Sequence, residues 1–344
     1  MKIAFKIERV NYGGGERVIL ALAQSFSKRG YDVIFITPNP QLQQNGVLPN
    51  KCILIENNGN SNDRLAKIIA VHKICKKENI DVLIIFGPDP YVSLGTLFTK
   101  TKLLYSLRVD PAEIRSPFQW TVKLSNFLAD GIIFQTDVVQ KHYSRRVRNK
   151  SVVIPNPILD DLIPVPKDKR KKIVGIGRLS DQKNFSLLIQ AVSKIDLKGF
   201  TVHIYGKGEN ESLLKKQIQD YNLEKKVFLE GFVCNTIEAI KDAEIFVLSS
   251  KSEGMPNALI EAMSMKLACI STDVPSGGAR FLIENHKNGI LVPVNDIDKL
   301  AKELQFLIDN NDCRKSYAEE AYKIRTVLDK GTIINKWIDY ITTI

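Results

Sequence analysis

The chain has 344 residues, 44% of them apolar, more than one hydrophobic core normally holds and enough to fill about two. It has no run of 18 uncharged apolar residues, and Lys2, Lys6, Glu8 and Arg9 interrupt the N-terminus too early for a signal peptide. We therefore expect neither a spanning helix nor secretion, and place the chain in the cytoplasm. The net charge of +11 is concentrated in the middle, with five Lys/Arg in 141–150 and five more in 167–172. Such a band suits an anionic lipid surface or a polyanion, or is a solvated face beside a charged linker. Nucleic acid ranks lower, because no helix-turn-helix, zinc finger or aromatic RNA-reading strand accompanies the charge. The five cysteines are scattered with no CxxC pair, so neither a disulfide framework nor a zinc site is expected, and no metal or other cofactor.

In chain order, the first half alternates short β-rich runs near 3–7, 33–37, 52–55, 82–86, 103–107, 132–135 and 152–155 with amphipathic helical segments. That alternation is the pattern of a parallel α/β sheet. Between the first two strands Val18, Leu22 and Phe26, flanked by Ile19 and Ala23, form one apolar stripe, and Gly30 supplies the stop, giving a βαβ crossover. The turn before that helix reads Tyr12-Gly13-Gly14-Gly15-Glu16-Arg17. Three glycines exceed what a tight turn needs and permit close backbone approach to a ligand, although the spacing matches neither a Walker loop nor a dinucleotide fingerprint.

Regular structure then breaks. Pro155, Pro157, Pro164 and Pro166 run into the second basic cluster, which predicts a hinge over 161–171 between a domain of residues 1–160 and another of residues 172–328, with 329–344 as a terminal helix crossing back to the first domain. Alternation restarts with strands near 172–176, 201–205, 227–229, 245–248, 268–271 and 290–292, followed by helices near 296–309, 314–326 and 332–340. The expected fold is two doubly wound Rossmann-like α/β domains facing a central cleft, with ligand-binding residues at the carboxyl ends of the strands.

Three motifs fall at those ends. Gly175-Ile-Gly177-Arg178 through Lys183-Asn184 puts a guanidinium and an ammonium five residues apart in one strand-to-helix loop. A bidentate Arg and a point-charge Lys there suit a diphosphate leaving group; an exposed basic loop with Asn184 as helix cap is the structural alternative. Tyr205-Gly-Lys-Gly-Glu209 and Gly231-Phe232-Val233 also end strands, either as a base pocket or as ordinary turns. Most informative is Glu253-Gly-Met255-Pro256-Asn257-Ala258-Leu259-Ile-Glu261, with a carboxylate before a helix and another two turns into it. The helix N-terminus between them suits phosphate, so the series reads as sugar, diphosphate and ribose contacts of a nucleotide-sugar; a surface acidic pair is the bland alternative.

Together with Ser271-Thr272-Asp273-Val274-Pro275-Ser276-Gly277-Gly278 and Asn288-Gly289-Ile-Leu-Val-Pro293, these motifs resemble glycosyltransferase family 4, retaining sugar transferases of GT-B fold, over nearly the whole chain. The similarity is greatest to bacterial enzymes that extend capsular, exopolysaccharide or lipid-linked oligosaccharide chains. It implies that Glu261 bonds the ribose, Glu253 orients the donor sugar, and Arg178 and Lys183 clamp the diphosphate. Gly177 belongs to the same turn, and the backbone amides near Met255, Asn257 and Ala258 complete the cradle. Leu259 packs near the ribose or base, and Gly14 and Gly15 approach from the first domain; Phe232 and Val233 either line the base pocket or belong to an ordinary turn.

Many relatives carry a histidine after the strand near 103–107; this chain has Leu107-Arg108-Val109-Asp110-Pro111, so Arg108 or Asp110 takes the sugar- or acceptor-contacting role. Where relatives show Gly and Pro, this chain has Met265-Lys266-Leu267-Ala268, which predicts a local loop change. The resemblance implies transfer of a hexose or N-acetylhexosamine from a UDP-sugar to a glycan acceptor, polyprenyl-diphosphate-linked, with attack on the face the phosphate leaves, so that no metal is needed. A UDP-sugar epimerase of the same architecture and a non-catalytic basic nucleic-acid binder remain the competing readings. Phe118, Trp120, Val122, Leu124 and Phe127 form an amphipathic stretch that either docks on an anionic bilayer or fills the core under a crossover helix, the latter slightly favoured.

Overall fold

The computed structural model describes residues 1–7, 14–37, 52–54, 64–108, 119–159, 164–166 and 170–344, the side chains of 52–54 excepted. Tyr12, Gly13, Asp110, Phe118 and most of the expected hinge lie outside the described residues. The chain folds into two compact units, Met1–Leu159 with Lys330–Ile344, and Asp160–Asp329.

In the first unit, strands β1 (Lys2–Lys6), β2 (Asp32–Thr37), β3 (Cys52–Leu54), β4 (Val82–Phe86), β5 (Lys102–Leu107), β6 (Gly131–Phe134) and β7 (Ser151–Val153) form one sheet in the order β3-β2-β1-β4-β5-β6-β7. All described pairings are parallel, with Ala4 opposite Ile34 on one side and Leu83 on the other. A parallel sheet covered on both faces buries every residue of its inner strands, so β4 and β6 read as continuous apolar runs without alternation.

The connecting helices are α1 (Gly14–Lys28), α2 (Arg64–Glu78), α3 (Pro90–Thr96), α4 (Gln119–Leu128), α5 (Asp137–Lys141) and α6 (Arg145–Asn149). In α1 the stripe Val18, Leu22 and Phe26 is buried with Ile19 and Ala23, and Gly30, at φ 84°, ends the helix region in the left-handed conformation. Two positions on α4 differ from the favoured core reading. Trp120 and Phe127 are 56% and 53% exposed, because α4 turns Val122, Ser125 and Asn126 inward.

The second unit's sheet is built from β8 (Arg170–Ile176), β9 (Thr201–Tyr205), β10 (Val227–Gly231), β11 (Ala243–Leu248), β12 (Ala268–Thr272) and β13 (Ile290–Val292), again parallel, in the order β10-β9-β8-β11-β12-β13. Its helices are α7 (Phe185–Val192), α8 (Glu211–Asp220), α9 (Thr236–Ile240), α10 (Asn257–Ser264), α11 (Gly278–Leu282), α12 (Ile297–Asp309), α13 (Asn311–Tyr322) and α14 (Ile324–Val327). The helix expected over 314–326 is thus two helices broken at Lys323. Lys266 sits at φ 61°, so this chain accepts a left-handed turn without glycine where the resemblance predicted a local change.

The last helix, α15 (Lys330–Thr343), packs in the first unit by burying Ile333, Ile334, Trp337 and Ile341. Tyr340 Oη pins it across two strand ends, donating to Lys150 O at 2.6 Å and accepting from Ile132 N at 3.0 Å. Both sheets reverse strand order once, between β1 and β4 and between β8 and β11. Crossover helices leave opposite faces there, opening a crevice at the carboxyl ends where open α/β sheets bind ligands. The fold is GT-B.

Candidate active site

At the second unit's reversal, β8 runs into Gly177-Arg178 and β11 runs into Ser249-Ser250, so two loops distant in sequence start side by side. Lys251 N donates to Gln182 O at 2.8 Å, and Ser249 Oγ donates to Lys183 O at 3.0 Å, joining the loops through backbone groups. A Cβ on Gly177 would lie 3.1 Å from Lys183 Cδ, so the glycine makes room for the lysine to cross the turn. The Lys183 ammonium then forms an ion pair with Glu253 Oε1, which also accepts from Ser250 Oγ at 2.6 Å. The pair is largely enclosed, with 22% of the Lys183 side chain and 10% of the Glu253 side chain exposed. The expected phosphate clamp and the expected sugar-orienting carboxylate thus hold each other in place.

The loop carrying Glu253 is held from its other side by the Ser-Gly-Gly turn. Ser276 Oγ donates to Glu253 O, and to Gly254 O at 3.3 Å, while a Cβ on Gly278 would fall 1.8 Å from Gly254 O. Only glycine lets these two backbones approach so closely. Met255 is buried beneath the turn, and Asn257 and Ala258 are the half-buried first residues of α10. Their N–H groups lie at the N-terminal, electropositive end of α10, which suits them to phosphate oxygens.

Glu261 is 1% exposed, and its Oε2 accepts from Thr236 Oγ1 at 2.6 Å, so the carboxylate is fixed at the start of α9. Leu259, expected near the ribose or base, lies on the same helix as Glu261. It is fully buried, its side chain turned into the core by the 3.6-residue period that brings Glu261 toward α9.

Arg178 is exposed, and among the described residues no hydrogen bond or ion pair joins it to Lys183 or Glu253. Phe232 is 49% exposed and Val233 half-buried, beyond the end of β10. The Tyr205–Glu209 turn braces the site: Gly177 N donates to Tyr205 O at 3.0 Å, and a Cβ on Gly206 would overlap Gly177 O at 1.8 Å. Ser249, Ser250 and Thr236 were not singled out from the sequence. The first two lie four and three residues before Glu253, but nothing in their spacing tells a serine that grips a carboxylate from one that faces water.

In the first unit, Gly14 and Gly15 open α1, and among the described residues a Cβ on Gly15 would meet Phe86 Cδ2 at 4.0 Å, ordinary contact. Arg108 follows β5 with its guanidinium 3.8 Å from the centroid of the Phe86 ring. Its Nη1 donates to Asn156 Oδ1 at 2.6 Å and its Nε to Ser106 Oγ at 3.1 Å. Below these, Lys6 and Lys67 meet Asp89 Oδ2 at 3.3 and 2.7 Å. Burial alone would raise the Asp89 pKa, but the two ammonium groups and the N–H of Val92 outweigh it and hold the carboxyl below its usual range.

The family profile for group 1 glycosyl transferases matches residues 162–324, and that for glycosyltransferase family 4 matches residues 12–161. The chain belongs to glycosyltransferase family 4. Its activity is glycosyl transfer. Among relatives of this glycosyltransferase is the N-acetylgalactosamine-N,N'-diacetylbacillosaminyl-diphospho-undecaprenol 4-alpha-N-acetylgalactosaminyltransferase of Campylobacter jejuni, 27% identical over 99% of each chain. The amylovoran biosynthesis glycosyltransferase of Erwinia amylovora is 25% identical over 96% of each. Among solved structures, Anabaena HepE in complex with UDP superposes on the whole chain with a TM-score of 0.84 at 19% identity, covering 100% of each. The pneumococcal O-GlcNAc transferase GtfA in complex with UDP and GlcNAc gives 0.82 at 17%, over 100% of this chain and 99% of that one. At such identities these structures bear on the fold alone.

Proposed function

We propose that this glycosyltransferase moves a hexose or N-acetylhexosamine from a UDP-sugar, with retention of configuration, onto a polyprenyl-diphosphate-linked glycan in bacterial surface polysaccharide synthesis. The observation that carries the reading is the locked pair of Lys183 and Glu253 at the β8/β11 reversal, beside the N-terminus of α10. Those groups match a diphosphate and a sugar hydroxyl in adjacent positions. The names of the Campylobacter and Erwinia relatives support a lipid-linked or exopolysaccharide acceptor.

In the proposed reaction the bond from the anomeric carbon to the diphosphate oxygen breaks as the acceptor oxygen bonds on the same face. The acceptor proton passes to the departing phosphate. Lys183, with Arg178 reaching in from its exposed position, takes up the charge developing on the diphosphate, so the step needs no metal. Lys183 must leave Glu253 Oε1 at least in part to do this, freeing that oxygen for a donor hydroxyl while Ser250 holds the carboxylate. Glu261 bonds the ribose, which requires Thr236 to share or release Oε2.

The enzyme docks on an anionic bilayer through α4 and the basic helix α6. Exposed Trp120 and Phe127, the Arg146 guanidinium 4.2 Å from the Phe127 centroid, and a recess of about 490 Å³ lined by Val122, Phe127, Tyr143 and Val147 support this face. Among the described residues no helix is long and apolar enough to cross a membrane.

A thermal-shift screen of nucleotide sugars tests the donor, since only a ligand that binds the folded state raises the melting temperature. We expect stabilisation by one UDP-sugar in the presence of a chelator. Stabilisation only by GDP-sugars, or only with added metal, would overturn that part of the reading.

A further inference from the structure

Thr236 is the first residue of α9, five residues past the end of β10, and its hydroxyl serves a different helix. Asn235 Oδ1 caps α9 by accepting from Glu238 N at 3.0 Å, so α9 does not need the threonine hydroxyl at its own end. That hydroxyl reaches α10 instead and donates to Glu261 Oε2 at 2.6 Å. Both ends of the bond are anchored. Ile237 and Ile240, 1% and 0% exposed, root α9 in the core, while Ser264 Oγ donates to the Glu261 carbonyl at 2.7 Å from within α10. Only Phe232 to Asn235 separate Thr236 from Gly231, whose carbonyl accepts from Gly206 N at 2.7 Å. The neighbouring Tyr205 carbonyl accepts from Gly177 N at 3.0 Å, so backbone bonds tie the Thr236 segment to the turn that leads to Arg178 and Lys183.

The terminal torsion of a glutamate is broad, so a carboxylate fixed only by its own helix can present its two oxygens in many planes. A hydroxyl rooted in another helix sets one plane, and a vicinal diol can be read bidentately only when that plane is right. We propose that Thr236 is a positioning residue that makes the donor site selective for a ribonucleotide, by orienting the Glu261 carboxylate toward the 2′ and 3′ hydroxyls of the ribose. This deepens the nucleotide-sugar reading above and rests on it. Thr236 acts through Glu261, and its effect is confined to ligands that carry the diol.

The test uses the full chain and measures, by calorimetry, binding of UDP and of 2′,3′-dideoxy-UDP to the parent, Thr236→Val, Thr236→Ala and Thr236→Ser. Valine keeps the shape of threonine without the hydroxyl, and serine keeps the hydroxyl. We expect the parent to bind UDP about tenfold or more tighter than the dideoxy nucleotide, the scale of hydrogen bonds to a charged group. In Thr236→Val that preference should shrink to about twofold through weaker UDP binding, with dideoxy-UDP affinity unchanged, and Thr236→Ser should recover most of it. A preference that survives in Thr236→Val would overturn the proposal. Equal weakening of both nucleotides would also overturn it, because a hydroxyl that only supports the fold cannot distinguish ligands by their diol. Failure of both Thr236→Val and Thr236→Ala to fold, with Thr236→Ser folded, would overturn it in the same way. Equal binding of the two nucleotides by the parent would remove the ribose role of Glu261 and the proposal with it, whereas failure of the parent to bind UDP at all would sink the donor reading on which both rest.

Discussion

The most demanding consequence of the site geometry is that Gly278→Ala disables an enzyme whose proposed donor-contacting residues are untouched. The added Cβ would lie 1.8 Å from Gly254 O, and such contacts are essentially never closer than 3.0 Å, so the backbones must separate by at least 1.2 Å. The nearest atoms are backbone, with Met255 Cα at 3.2 Å, so no flexible side chain can absorb the shift. Ser276, two residues away, holds Glu253 O, and retreat of the turn therefore moves the carboxylate away from Lys183 and Ser250. Misplacing a reactive geometry by about 1 Å costs roughly 100-fold, which sets the expected loss in kcat/KM for sugar transfer. Steady-state kinetics on purified variant and parent, with circular dichroism to confirm folding, measures it. Turnover within about threefold of the parent in a folded Gly278→Ala protein would refute the claim that this contact sets the position of Glu253.

Lys183→Ala and Glu253→Ala should each lower turnover by orders of magnitude while the protein stays folded, because each faces the other and the open edge of the sheet and neither belongs to the core; activity assays with denaturant titration check both halves of the statement. Asp89→Asn should cost roughly 3 kcal/mol at neutral pH, since it strips an enclosed ion pair with Lys6 of its negative partner. The folded-state pKa of Asp89 is depressed, so its contribution is complete above the unfolded value of 3.8 and fades as pH falls through the folded value; the gap between variant and parent in denaturant titrations should narrow only in that acidic range. Replacing Trp120 and Phe127 together by alanine should reduce flotation with anionic liposomes while leaving transfer to a soluble acceptor analogue within about twofold, and equal flotation would refute docking through α4.

Much of the molecule was legible from local chemistry. A continuous apolar run marked Val82–Phe86 to the residue, because a strand covered on both faces has no polar side to interrupt it, and alternation marked Thr201–Tyr205, where Val202 and Ile204 are the buried positions. The stripe of α1 and the acidic motif before α10 were equally plain, since both depend on spacing along a single element. Trp120 and Phe127 were misread because composition gives the amphipathic period but not which residues of the helix face the sheet.

Tertiary structure alone decided the pairings that turn motifs into a site. Strand order brings β8 beside β11, and with it Lys183 to Glu253 across a sequence separation of 70 residues. It likewise brings Thr236 to Glu261, Ser276 to the Glu253 loop, and Asn156 to Arg108. A linear chain encodes which groups can bond, through residue type, and which segments bury an apolar face, through period. Which bonds form depends on the order in which strands are laid into the sheet, a property of the packed whole that no local window contains.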